Sequence, residues 1–196
     1  MGAVPITQTT QKTFNIRNAG KGSLSGSIQL LIPPPSGGSV FTISPSNFNL
    51  MAGATQPETV TFAPDAVKNA AAVIIASNDA ARPSIGVLLT GVGSTGRLAV
   101  ARSFRITATT GQSTQANLTL RNAGRGFLSG SWTAVSVGPY TVSAGSFGPL
   151  ASGATATIPI TFSPTTKGAA PSAALPVEVV GPSTGSTIVT LRGVGK

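Results

Sequence analysis

The chain of 196 residues states one motif twice. Phe14–Ser27 reads FNIRNAGKGSLSGS and Leu118–Ser131 reads LTLRNAGRGFLSGS, with nine of the fourteen positions identical. The echo continues downstream. GAT recurs at Gly53–Thr55 and Gly153–Thr155, VTFAP at Val60–Pro64 returns as ITFSP at Ile160–Pro164, and LTGVG at Leu89–Gly93 returns as LRGVG at Leu191–Gly195. The offsets are 104, 100, 100 and 102 residues, so the copies differ by small loop changes. A period this long is a whole domain rather than the roughly 20–50-residue unit of a solenoid. It predicts two domains of one fold, residues 1–94 and 95–196, each large enough to bury a core without covalent staples. Staples are not on offer, because the chain has no cysteine.

The patterning within each copy is that of strands. Phe14 and Ile16 alternate with Thr13, Asn15 and Arg17, and Leu118 and Leu120 alternate with Asn117, Thr119 and Arg121. Val60 and Phe62 alternate with Thr59 and Thr61, as do Ile158, Ile160 and Phe162 with their neighbours. A period of two marks half-buried strands of antiparallel sheets. Turn clusters punctuate them at NAGKG, PPPSGG, NDAARP, NAGRG and GPSTG. Although only 9% of residues are charged, 40% are apolar and alternate, which argues for a packed all-β chain over disorder. Pro159 within a strand-like run implies an edge or a bulge. Asp65–Ala72 and Thr165–Ala173 are expected to be connecting loops. Arg97–Thr110 (RLAVARSFRITATT) predicts an opening strand for the second copy. Its counterpart in the first copy begins about ten residues before Met1, so the first domain is expected to lack most of that strand and to leave a sheet edge that a neighbouring subunit or partner fills with a strand, the alternative being that Gly2–Thr7 covers it in part with Pro5 blocking further growth of the ladder.

Each copy thus runs as a strand into N-x-G-x-G, a middle loop with Phe and Gly-Ala-Thr, then [IV]-T-F-x-P, a strand and G-x-G. This resembles the ASPM/Hydin-type immunoglobulin-like domains, as in the tandem copies of bacterial choice-of-anchor D proteins. The matching residues are Asn18, Gly20, Phe48, Gly53, Val60–Pro64, Ser77–Asp79, Pro83 and Gly91–Gly93 in the first copy. In the second they are Asn122, Gly124, Phe147, Gly153, Ile160–Pro164 and Gly193–Gly195. The second copy has GPSTG in place of the SND element, so that hairpin is expected to be reshaped. The resemblance implies two tandem immunoglobulin-like β-sandwiches serving as structural or binding modules. Its motifs are turn and core residues, which specify fold and leave function open.

The chemistry the chain lacks narrows function further. There is no histidine and no cysteine, which removes the commonest general base, the Ser-His and Cys-His pairs and the usual zinc and haem ligands. The four acids, Glu58, Asp65, Asp79 and Glu178, do not recur at matching positions, so no carboxylate pair is repeated. Asn78–Asp79 reads as a turn, since a calcium site needs more oxygen ligands than this loop offers. Gly91–Gly96 (GVGSTG) has the spacing of a dinucleotide loop, but a strand follows it where a helix N-terminus is required. The reading is therefore non-catalytic, with no cofactor and no metal.

The net charge is +9, from thirteen basic residues against four acids. A field of that sign favours acidic partners, yet no Lys/Arg run of the kind that marks a nucleic-acid patch is present, and no interleaved aromatic platform for single strands is visible. The basic positions that recur are Arg17 and Lys21 in one NAG turn and Arg121 and Arg125 in the other, giving R-N-A-G-[KR]-G twice. These four are the candidate partner contact; the plainer reading leaves them as solvated turn residues. Two functions follow from the sequence. One is a structural or assembly protein, such as a virion-decorating or fibre-forming module that self-associates or attaches to a larger assembly. The other is an adaptor that binds an acidic protein or nucleic acid through the basic turns. The N-terminus has neither the basic nor the apolar region of a secretory signal, and the longest apolar stretch, Ala70–Ala76, is far shorter than a membrane span of about 20 residues. A virion or an extracellular assembly is the expected location.

Overall fold

The computed structural model describes residues 2–31 and 40–196. The PPPSGG turn expected at 33–38 lies outside them. The described residues form strands, turns and loops with no helix, and the chain divides into two compact units, Met1–Ser94 and Thr95–Lys196.

In unit 1 the strands are β1 (Ala3–Pro5), β2 (Thr10–Arg17), β3 (Leu24–Leu31), β4 (Phe41–Ser44), β5 (Asn47–Leu50), β6 (Thr55–Phe62), β7 (Lys68–Ser77) and β8 (Ser84–Ser94). They make a sheet of order β1-β8-β7-β3-β5 and another of order β2-β6-β4. Unit 2 continues with β9 (Leu98–Val100), β10 (Ser103–Ala108), β11 (Thr114–Asn122), β12 (Leu128–Trp132), β13 (Val135–Val137), β14 (Tyr140–Val142) and β15 (Gly145–Leu150). It closes with β16 (Thr155–Phe162), β17 (Gly168–Ala169), β18 (Ala173–Val180) and β19 (Gly185–Gly195). Its sheets run β10-β19-β18-β12-β15, with β17 also on β19, and β13-β14-β16-β11-β9.

The inward positions are those the alternation marks. Leu118, Leu120, Ile158, Ile160 and Phe162 of one sheet pack with Leu128, Leu175, Val177, Val189 and Leu191 of the other in a single buried cluster. Burying each such side chain is worth roughly 1.5–3 kcal/mol, which is what draws the two sheets together. Phe62 and Phe162 are both fully buried. Phe62 stacks on Phe41 at 4.7 Å and Phe162 meets Tyr140 at 5.1 Å between ring centroids. The repeated G-x-G has its reason here. A Cβ at Gly91 would collide with the Phe62 ring and one at Gly193 with the Phe162 ring, so only glycine lets the strand approach the aromatic plug. Pro159 lies opposite Asn117 of β11, while on its other side β14 pairs only with Thr161 and Phe162. Beyond that short strand β16 is an edge, where a missing N–H costs nothing.

Two expectations need correction. Arg97–Thr110 is not one strand: β9 pairs antiparallel with β11 in one sheet, and after Ala101 and Arg102 the chain crosses to the other sheet, where β10 pairs parallel with β19. Crossing lets one short segment close an edge of both sheets. Likewise 65–72 is loop only to Val67. From Lys68 onward the alanine-rich run is β7, held between β3 and β8, so pairing on both sides overrides the weak strand propensity of alanine. In unit 1, β1 pairs parallel with Val92–Ser94, whereas β10 of unit 2 pairs with Thr190–Gly195.

Candidate docking groove and basic turns

The R-N-A-G-[KR]-G turns are built around a buried asparagine. Asn18 donates from Nδ2 to the Gly22 carbonyl at 2.7 Å and to the Leu50 carbonyl at 2.9 Å, and its Oδ1 accepts from the Gly20 amide at 2.9 Å. Asn122 does the same with Gly126, Leu150 and Gly124 at 2.7, 2.8 and 2.8 Å. The asparagine satisfies its own turn and ties it to the end of β5 in unit 1 and of β15 in unit 2, the requirement on any buried polar group. The cations flank this clamp. Arg17, Lys21, Arg121 and Arg125 are all exposed, and in each unit the pair holds the same two positions of the turn. Only Arg17 of the four lines a described cavity; it stands there with Arg82, which sequence reasoning did not single out.

That cavity, an open groove of about 620 Å³ in unit 1, runs along the outer edge of β2. Phe14, Ile16, Phe48, Ile75, Ile85 and Val87 give it an apolar lining, joined by residues of the turn between β2 and β3. Among the described residues no strand lies against this edge, since β2 pairs only with β6. In unit 2 the equivalent edge of β11 is taken by β9, with Val100, Ala99 and Leu98 opposite Leu120, Arg121 and Asn122. Burial records the difference. Leu118 and Leu120 are buried, while Phe14 and Ile16 are only half-buried. Val87 is 37% exposed, whereas Val189, which has its place in the repeat, is 0% exposed.

The turn carries the same contrast. Segment 95–97 of unit 2 docks through three bonds: the Arg97 amide donates to Asn122 Oδ1 at 3.0 Å, the Ala123 amide to the Arg97 carbonyl at 2.7 Å, and the Gly126 amide to the Thr95 carbonyl at 2.9 Å. A Cβ on Gly124 would collide with this segment, while one on Gly20 would meet only Asn18 Oδ1. The amides of Ala19 and Gly22, which stand where Ala123 and Gly126 do, have no such acceptor among the described residues.

The burial of one of the four acids escaped the sequence reading. Glu58 is fully buried, opposite Phe14 in the register of β2 and β6. Its Oε1 accepts from Gln56 Nε2 at 2.9 Å, and Oε2 has no hydrogen-bond partner among the described residues. Burial pushes the Glu58 carboxyl above the ordinary glutamate range, an effect partly offset by the Gln56 bond. The signal was present in the alternation: if Val60 and Phe62 point inward, so does residue 58. No group of three or more His, Cys, Asp or Glu side chains able to hold a metal occurs among the described residues. No described helix is long and apolar enough to cross a membrane.

No family model matches the sequence, and no curated protein matches it. Solved structures similar to the chain include the periplasmic chaperone SfaE, at 15% identity over 100% of this chain and 95% of that one, with a TM-score of 0.36. The CsuC–CsuE chaperone–tip adhesion subunit complex of Acinetobacter baumannii matches at 13% identity over 97% and 93%, with a TM-score of 0.39. A PapD-like domain of human CEP192 matches at 18% identity over 52% of this chain and 84% of that one, with a TM-score of 0.37. With TM-scores this low, the likenesses carry no functional weight.

Proposed function

We infer that the chain is a pair of tandem immunoglobulin-like β-sandwiches, residues 1–94 and 95–196, acting as a non-catalytic structural or assembly module. The observation that supports this most is the use made of its polar side chains. Asn18 and Asn122 are consumed in holding turns, and Glu58 is fully buried. Such a module attaches to other proteins or to copies of itself, as a virion-decorating or fibre-forming protein does. Electron microscopy of the purified protein tests this reading: particles or fibres that persist from low to moderate salt are expected, and a monomer under all conditions would remove self-association and leave attachment to another protein.

The exposure of all four repeated cations favours a second reading, an adaptor that recognises an acidic partner through Arg17, Lys21, Arg121 and Arg125. Salt separates the two. Electrostatic attachment weakens steeply as salt rises, while sheet-based packing does not.

A further inference from the structure

The groove beside β2 has an occupied counterpart in the same molecule. Strand β9 defines what such an edge accepts: a short extended segment, antiparallel, with Leu98 and Val100 packed against the core and Ala99 between them. Unit 1 offers the same fittings without the strand. They are a free outer edge on β2 among the described residues, half-buried Phe14 and Ile16, exposed Ile85 and Val87, and the amides of Ala19 and Gly22. An exposed strand edge above an apolar floor is the arrangement by which β-augmentation binds extended peptides, with main-chain bonds supplying affinity and alternate side-chain pockets supplying selectivity.

We propose that this groove of unit 1 binds an extended strand of a different protein chain, antiparallel to β2, with apolar side chains at two alternate positions and carboxylates at its flanks. The alternate positions correspond to Leu98 and Val100. The flanking charge follows from the rim, which carries Arg17 and Arg82 with Asp79 as its single acid. The same charge separates a foreign strand from a second copy of this chain. Glu58 is buried, Asp65 lies in the loop after β6, and Asp79 lies in the turn after β7. Glu178 is in β18, which is paired on both sides by β12 and β19. No described acidic segment of this chain is free to be donated without unfolding a sheet. The inference deepens the assembly reading and rests on it, because it names the contact through which unit 1 would join a partner.

Two probe peptides test it on the full chain. One has the sequence of Thr95–Arg102, TGRLAVAR, and the other replaces its two arginines by glutamate, TGELAVAE. The acidic peptide is expected to slow amide exchange along Thr10–Ala19 and to bind roughly tenfold more tightly than the basic one, the sum of two exposed ion pairs. Arg17→Glu with Arg82→Glu, both at exposed positions, should reverse that preference. An acidic peptide whose Leu and Val are changed to Asp should not bind, a control that leaves the protein unaltered. In unit 2, β9 holds the equivalent edge, so exchange along β11 should stay as it is. Failure of both peptides at millimolar concentration, or equal binding of the two, would overturn the proposal. Protection of β2 that grows with protein concentration before any peptide is added would place a second copy in the groove and overturn the assignment to a foreign chain. Particles or fibres formed by a protein that takes neither peptide would overturn the groove and leave the assembly reading standing. Peptide binding by a protein that never assembles alone supports the groove and removes self-association.

Discussion

Glu58 and Ile158 occupy the same position of the repeated strand, and both are fully buried. Ile158 belongs to the one continuous core of unit 2. In unit 1 the buried residues fall into two clusters, one around Phe62 and one around Phe48 and Val73, bridged by the partly buried Leu30, Ile43 and Leu89. A carboxyl with one oxygen unpartnered contributes no apolar contact and carries a desolvation cost where isoleucine carries a gain.

Glu58→Ile is therefore expected to stabilise unit 1 by about 1–3 kcal/mol, the usual cost of a buried polar group without its hydrogen bond. Amide exchange of the slowest β6 and β7 protons in wild type and variant measures it. A loss of stability would mean that the carboxyl holds a structural role that one bond from Gln56 does not account for.

Stability of unit 1 should also depend on pH. The folded carboxyl titrates above the ordinary value of 4.5, so the folded state holds its proton more tightly than the unfolded state does. Its contribution is fully present below 4.5 and is lost as pH rises from there through the raised folded value. Denaturation midpoints of unit 1 should fall over that window and then level, and Glu58→Gln should flatten the fall. A midpoint that rises with pH in the wild type and not in the variant would contradict the sign.

Phe162→Ala should destabilise unit 2 by about 3–5 kcal/mol, the cost of emptying a buried aromatic site. Gly193→Ala should cost about 1–3 kcal/mol by forcing a methyl into the same ring, and adding Phe162→Leu should recover part of that loss. Trp132, the one tryptophan of the chain, lies in unit 2, so its fluorescence follows this unit during unfolding. A change below about 1 kcal/mol for Phe162→Ala would show that the ring is not a core plug.

Removing the turn clamps should hurt unit 2 more than unit 1. Asn122→Ala loses four hydrogen bonds, one of them holding Arg97, and should cost more than about 2 kcal/mol by leaving buried carbonyls unpaired. Asn18→Ala loses three and leaves no docked segment adrift. Equal costs would mean that the backbone bonds from Ala123 and Gly126 hold segment 95–97 without help from Asn122.

Replacing Arg17, Lys21, Arg121 and Arg125 together by Ser separates the two functional readings. If the basic turns form the contact, partner capture weakens and its dependence on salt flattens. If sheet edges form it, capture changes little, since only Arg17 of the four lines the groove.

The repeat, the strand phase and the aromatic plugs were legible in the chain because each is local or periodic. Alternation declares which of Val60, Thr61 and Phe62 faces inward whatever the partner strand is, and N-x-G declares a turn. Even the burial of Glu58 was written in the phase of its own strand. What no local pattern could supply was the destination of RLAVARSFRITATT. A strand-forming segment carries no mark of which sheet it will join, and that choice depends on edges presented by residues up to roughly ninety positions away. Tertiary structure alone decided that the segment divides between both sheets of unit 2. It also decided that Phe14 and Ile16, core-like by pattern, border an open edge in unit 1. The physical reason is that burial belongs to the neighbours of a side chain, and unit 1 has no described strand where unit 2 has β9.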